Sequence, residues 1–256
     1  MTSARRAVSN SSLHPATRGF ELAADVYERG RPDYPAAAIR WLVERFDLRP
    51  GRTLVDLAAG TGKLTRLLVP SGADVIAVEP LAAMRALIEN ARVLEGTAEA
   101  IPLPDASADA VTVAQAFHWF RSAEALAEIH RILRPGGGLA LIWNTRDERD
   151  PLHAAVSELL RPLEGDAPRR HKRDWGEVLD ASGLFTPTER ATFDHEQLVD
   201  EEGFVERFTS ISFVAAAPDD PRAEVEAGLR DLAHDVGVPI RLPYVTELYV
   251  AFRPLS

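Results

Sequence analysis

Between about residues 52 and 144, short apolar runs alternate with apolar stripes at helical spacing. Thr53 to Leu57 is one such run, and Leu64, Leu67 and Leu68 recur behind it on one helical face. Asp74 to Val78 is a second, closed by Glu79-Pro80. A later run from Ser107 ends near Gln115, and a helix follows it. Leu133-Arg134-Pro135-Gly136-Gly137-Gly138 breaks that helix before a strand from Leu139 to Trp143. Strand-and-helix units in this order predict an α/β fold with a mostly parallel, doubly wound, Rossmann-like sheet and helices on both faces.

The flanks are less regular. Ile39, Leu42, Val43 and Phe46 form a stripe that ends before Arg49-Pro50-Gly51. Ahead of it a short helix is expected between Glu21 and Tyr34, with Arg31-Pro32-Asp33-Tyr34-Pro35 turning the chain. Past the sheet, Leu152, Val156, Leu159, Leu160 and Leu163 mark one helix. Trp175, Val178 and Leu179 mark another, stopped by Ser182-Gly183. Residues 188–198 alternate weakly as a strand. Asp200 is placed to cap a helix carrying Phe204, Phe208 and Ile211. Asp220-Pro221 starts a helix with Val225, Leu229, Leu232 and Val236. Val245 to Phe252 reads as a last strand.

Composition narrows the function. At 256 residues and 46% hydrophobic content the chain can bury a sizeable core. A net charge of -10 disfavours a general polyanion binder, so no nucleic-acid partner is expected. No run of 18 apolar residues exists, so no membrane span is expected, and the protein is expected to be cytoplasmic. The first twenty residues are rich in Ser and Arg without an acid, yet show no amphipathic pattern, and residues 1–19 read as a disordered tail. Cysteine is absent, which removes disulfides, thiolate zinc sites and iron–sulfur clusters. The histidines show no metal-ligand spacing, so no metal is expected. The oligomeric state is left open.

The turn Asp56-Leu57-Ala58-Ala59-Gly60-Thr61-Gly62 is the first candidate for chemistry. Glycines let backbone approach a ligand closely, and the helix behind them offers unpaired N–H groups. A dinucleotide fingerprint fails because Thr65 stands where its third glycine belongs. A phosphate-cradling loop fails because Leu57 stands at its first glycine and Gly62-Lys63 runs into Leu64. What remains is acid-x-small-x-Gly-x-Gly. It resembles the first motif of class I S-adenosylmethionine-dependent methyltransferases, usually Asp/Glu-x-Gly-x-Gly-x-Gly, with Ala58 at the first glycine. Glu79 lies about 20 residues past the turn, where a doubly wound sheet places its ribose-binding acid. Gly96-Thr97-Ala98-Glu99-Ala100-Ile101-Pro102-Leu103-Pro104-Asp105 resembles the segment that lines the adenine ring in the same family. The ordered set from about residue 52 to 144 looks like the small-molecule, type 11 branch.

That resemblance implies a seven-stranded sheet whose two late strands form a closing antiparallel element at the edge. It implies one domain over residues 20–256, with lid helices over 20–50, the cofactor-binding core over 51–145, cap helices over about 146–182 and closing elements over 183–256. The implied cofactor is S-adenosylmethionine, with S-adenosylhomocysteine as product. Asp56, Ala58, Gly60 and Gly62 would form the turn beside it, and Asp56 would orient the methionine ammonium. Glu79 and the adjacent Pro80 would meet the ribose. Thr97, Ala98 and Glu99 would meet the adenine. Gln115 and Phe117 would pass under the methionine arm, where an aromatic face attracts a sulfonium. Tyr27 and Arg31 would fold over the cofactor and reach its carboxylate. Tyr34, Trp119 and Asn144 are placed to meet a small-molecule acceptor. His118 is the candidate general base, since an unperturbed imidazole accepts a proton near neutral pH. The missing cysteine removes radical and cysteine-nucleophile variants of this chemistry, and the strand ending in Ala114-Gln115 lacks the Asn/Asp-Pro-Pro-Tyr/Phe motif of enzymes that methylate nucleic-acid bases. Two other readings compete: a non-catalytic domain that binds S-adenosylmethionine, and a nicotinamide oxidoreductase, which Thr65 opposes.

Overall fold

The computed structural model describes residues 30–164 and 174–255. The expected tail, Tyr27 and the start of the helix expected from Glu21 lie outside the described residues. The strands are β1 (Thr53–Leu57), β2 (Asp74–Val78), β3 (Arg92–Leu94), β4 (Ala108–Ala114), β5 (Leu133–Arg146), β6 (Glu189–Val199) and β7 (Ile240–Phe252). They form one sheet in the order β3-β2-β1-β4-β5-β7-β6. The first five are parallel, and β7 runs antiparallel to both β5 and β6. The helices are α1 (Ala36–Arg45), α2 (Lys63–Leu68), α3 (Ala82–Arg85), α4 (Ser122–Ile132), α5 (Pro151–Leu160), α6 (Trp175–Ala181), α7 (Glu201–Thr209), α8 (Ser212–Ala215) and α9 (Asp219–Val236). Among the described residues no helix is long and apolar enough to cross a membrane.

The continuous apolar runs are explained by burial on both faces. Val55, Leu57, Ile76, Val111, Val113 and Leu141 face α4 and α6. Leu54, Val75, Ala110, Ala140 and Ile142 face the other way, against Leu42 of α1 and Leu64 and Leu68 of α2. Strand periodicity thus turns Asp56 to the same side as Leu54, toward α2.

The expected elements recur with shifted ends. The α1 stripe, the Asp200 cap and the start of α9 stand where the pattern placed them. Asp200 accepts from the Gly203 N–H at 2.8 Å. The triple glycine does not precede β5 but lies within it, because Leu133 pairs with Ala108 before a bulge restores register at Ala110–Gly138. No side chain fits at Gly138, since the Phe46 ring occupies that space. β7 starts at Ile240 rather than Val245. Its first residues pair only with β6, because β5 ends at Arg146 opposite Tyr244.

That overhang carries a third cluster. Ile240, Leu242 and Tyr244 pack against Val156 and Leu160 of α5, Phe204 and Phe208 of α7, and Val225 and Leu229 of α9. Residues 146–182, expected to cap the site, are divided. α5 joins this helical layer at the carboxyl ends of the strands. α6 lies in the sheet core, where Trp175 stacks on Trp143 with centroids 5.4 Å apart and planes 14° apart. The layer beyond the sheet is built from α5, α7, α8 and α9 instead.

Candidate active site

From β1 the chain passes to β2 on one side, while β4 pairs with β1 on the other. The carboxyl ends of β1 and β4 are therefore the topological switch point, where open α/β sheets bind ligands. A cavity opens there. Its wall includes Ala58, Ala59, Gly60 and Thr61 after β1, Ala114 and Gln115 at the end of β4, and Asn144 on β5. Arg31, Pro32, Tyr34 and Lys63 line it from the amino-terminal side, and Arg207 reaches it from α7.

The turn takes this course because three of its residues have left-handed backbone. φ is 58° at Gly60 and 84° at Gly62. Ala58 also adopts φ 54°, a conformation that favours glycine, which the usual motif carries at this position. A Cβ at Gly62 would additionally press on the Ile88 side chain at 3.3 Å.

Two buried carboxylates hold the turn. Asp56 accepts from the Thr65 hydroxyl at 2.6 Å and the Thr112 hydroxyl at 3.0 Å. Burial pushes its pKa up to about 6, against the pull of those hydrogen bonds. Glu79 accepts from the Gly60 N–H and the Leu81 N–H, both at 2.9 Å. Burial raises its pKa, and the two backbone donors oppose the rise. Pro80 offers its carbonyl to Arg85 at 2.6 Å. Gln115 has φ 58°, and its side-chain amide donates to the Asn144 carbonyl at 3.3 Å.

Residues 31–35 form an extended strap across the cavity mouth. The Asn144 amide donates to the Asp33 carbonyl at 3.1 Å and the Pro32 carbonyl at 3.3 Å, and its oxygen accepts from Thr246 at 2.7 Å. Lys63 and Arg66 both pair with Asp33, at 3.1 and 3.3 Å. Arg31 donates to the Ser210 carbonyl at 3.3 Å. Gly30 packs so closely on the Glu206 carbonyl that a Cβ would sit 2.7 Å from its oxygen.

The structure thus brings Arg31, Tyr34, Ala58, Gly60, Gln115 and Asn144 to one cavity. Gly62 and Glu79 stand directly behind that wall. The adenine candidates lie to one side: Thr97 bridges to Ala100, and Glu99 accepts from the Arg121 N–H at 3.0 Å. Ala98 belongs to the core. So does Phe117, which is fully buried and meets Trp175 edge-on at 5.5 Å. His118 and Trp119 follow on a single 3-10 turn, their rings 4.9 Å apart, outside the cavity wall. Sequence reasoning missed Thr65 and Thr112, which hold Asp56, and Arg207 with its partner Tyr244. In the sequence Thr65 stands out only as a missing glycine. Nothing local marks the others, whose partners lie tens of residues away in the chain.

Residues 55–141 match the family model described as a methyltransferase domain. An uncharacterized methyltransferase of Mycobacterium tuberculosis is 38% identical, over 96% of this chain and 97% of its own. The chain belongs to the methyltransferase family. This methyltransferase is also similar to a structure from Anaeromyxobacter dehalogenans solved as a candidate type II methyltransferase, with a TM-score of 0.60 and 28% identity over 88% of this chain and 98% of the other. A more distant likeness, of fold alone, is to phosphoethanolamine N-methyltransferase 2 of Haemonchus contortus in complex with S-adenosylhomocysteine and phosphomonomethylethanolamine. There the TM-score is 0.55 and the identity 14%, over 95% of this chain and 61% of that one. Family membership makes the chain a class I S-adenosylmethionine-dependent methyltransferase and selects methyl transfer over nicotinamide chemistry.

Proposed function

We propose that the protein transfers the methyl group of S-adenosylmethionine to a small-molecule acceptor, with both bound in the cavity between β1 and β4. The observation that carries this is the left-handed turn from Ala58 to Gly62 opening onto a cavity at the switch point. Each Glu79 oxygen already accepts one backbone N–H and keeps a lone pair for a ribose hydroxyl. Arg31 and Tyr34 on the strap supply the groups for the methionine end, and Thr97 to Glu99 supply the adenine side.

The sulfonium is activated before it binds, so the residues mainly align. The acceptor atom must lie in line with methyl and sulfur, about 3–3.5 Å from the carbon, with water excluded. The strap and α7 close the cavity for that purpose. His118 stands outside the cavity wall, which favours alignment over a His118 base. His118→Ala is accordingly expected to keep the shape of the pH–rate profile. An acid limb present in the parent and missing from the variant would restore His118 as the base.

Calorimetric titration tests the cofactor. S-Adenosylhomocysteine should bind and NADH should not. Glu79→Ala should weaken that binding roughly 10- to 100-fold, the loss of charge-assisted hydrogen bonds worth about 1.5–3 kcal/mol. Binding of NADH with no heat from S-adenosylhomocysteine would overturn the reading.

A further inference from the structure

Where the helical layer meets the sheet, the fold gathers two guanidinium groups that its carboxylates neutralise only in part. Arg207 of α7 is 5% exposed. Its Nε donates to the Tyr244 hydroxyl at 2.7 Å, while its Nη1 is buried with no hydrogen-bond partner. Among the described residues no carboxylate pairs with it, and its side chain forms part of the cavity wall. Arg146, at the end of β5 and opposite Tyr244, is the second cation. Its Nη2 meets Glu148 at 3.2 Å, while its Nη1 is also buried and unpartnered. Both guanidinium groups lie over the Phe208 ring, Arg207 at 5.2 Å and Arg146 at 5.7 Å from its centroid.

Among the described residues no carboxylate is brought against Arg207. The His153 and His195 rings flank Tyr244 at 5.5 and 5.6 Å, and the Nε2 of each is buried without a partner. Burial lowers both imidazole pKa values, so both rings are neutral at neutral pH. The acids facing Arg146 are Glu148, itself half exposed, and Glu164. Two cations on one aromatic ring repel each other, and leaving Arg207 buried without a counter-charge is costly. A ligand carrying a negative charge would relieve both costs. Two planar forks and a hydroxyl match a carboxylate, which accepts two parallel N–H bonds from a guanidinium.

We propose that Arg207 and Arg146, with the Tyr244 hydroxyl, anchor a carboxylate group of the methyl acceptor. The acceptor is then a small organic anion, held at the α7 side of the cavity. This rests on the methyltransferase reading above. The one other source of the same chemistry at this place is the methionine carboxylate of the cofactor, and the test separates the two.

The test uses the full chain saturated with S-adenosylhomocysteine. Succinate, citrate and benzoate, their uncharged amides and inorganic phosphate are titrated calorimetrically. At least one carboxylate should bind the complex, its amide at least ten-fold more weakly. Arg207→Gln and Arg146→Gln should each weaken carboxylate binding ten-fold or more while S-adenosylhomocysteine affinity stays within about three-fold of the parent. Arg207→Lys should retain part of the carboxylate affinity, since it keeps the charge and loses the fork. Circular dichroism confirms that each variant is folded, and if Arg207→Gln is not, Arg146→Gln and the parent titrations decide. A ten-fold loss of S-adenosylhomocysteine affinity in both Gln variants would assign the pair to the cofactor and overturn the proposal. A parent complex that binds S-adenosylhomocysteine but no carboxylate, or prefers phosphate to every carboxylate, would overturn it as well. A parent that fails to bind S-adenosylhomocysteine would sink the methyltransferase reading beneath it.

Discussion

Ala58 sits in a conformation that costs an alanine about 1–2 kcal/mol, and glycine gives back about 0.5–1 of that through its freer unfolded chain. Ala58→Gly should therefore raise stability by about 0.5–1 kcal/mol, seen as a higher urea midpoint at constant slope. A lower midpoint would mean that the Ala58 methyl group packs usefully. Asp56 makes a second prediction. Its unfolded carboxyl ionises near 3.8 and its folded one near 6, so between about pH 4 and 6 the folded state binds more protons than the unfolded state. Stability contributed by this group falls as pH rises through that window and stays lost above it. Relative to Asp56→Asn, which keeps the shape and can still bond both threonines, the parent should lose about 3 kcal/mol across the window. Parallel pH–stability curves for the two proteins would show that burial does not disfavour the charge. At this scale the sequence reveals residues whose chemistry is local. The Asp56 and glycine spacing was readable. Thr112 and Arg207 were not, because their roles arise only when the fold brings them to partners 56 and 37 residues away in the chain.

Elements buried on both faces were the easiest to read, because β1, β2 and β4 need apolar residues at nearly every position. The start of β7 was harder. Arg241 and Pro243 interrupt its pattern, since this overhang has β6 on one edge and no β5 on the other. The strap over residues 31–35 was legible from its own residues only as a turn, and its closure only through the family resemblance, because what holds it is Asn144, more than a hundred residues away. Asn144→Ala should release it. We expect faster hydrogen exchange at residues 31–35 and roughly ten-fold weaker S-adenosylhomocysteine binding, for the loss of hydrogen bonds worth about 1–1.5 kcal/mol. The melting temperature should shift by only a few degrees. Unchanged exchange over 31–35 would show that Lys63 and Arg66, through Asp33, hold the strap without Asn144.

At the scale of the whole molecule, one sheet supplies a rigid floor and three separate regions close over its switch point. The turn after β1 approaches from the floor, the strap crosses from the amino-terminal side, and α7 brings Arg207 from a helical layer seated on the β6–β7 overhang. In the function proposed above, this division would give the cofactor and acceptor different walls of one cavity, as in-line transfer requires. The family model matches the core, residues 55–141, and the helical layer lies outside it, in the less regular third of the chain. The central claim is the place and orientation of the cofactor. A crystal structure of the complex with S-adenosylhomocysteine tests it most directly. The account predicts the ligand between the turn from Ala58 to Thr61 and Gln115, with its ribose hydroxyls on Glu79, its methionine end beneath the strap, and Arg207 and Arg146 left free for an acceptor. A ligand bound away from the β1–β4 switch point, or one whose ribose does not meet Glu79, would contradict it.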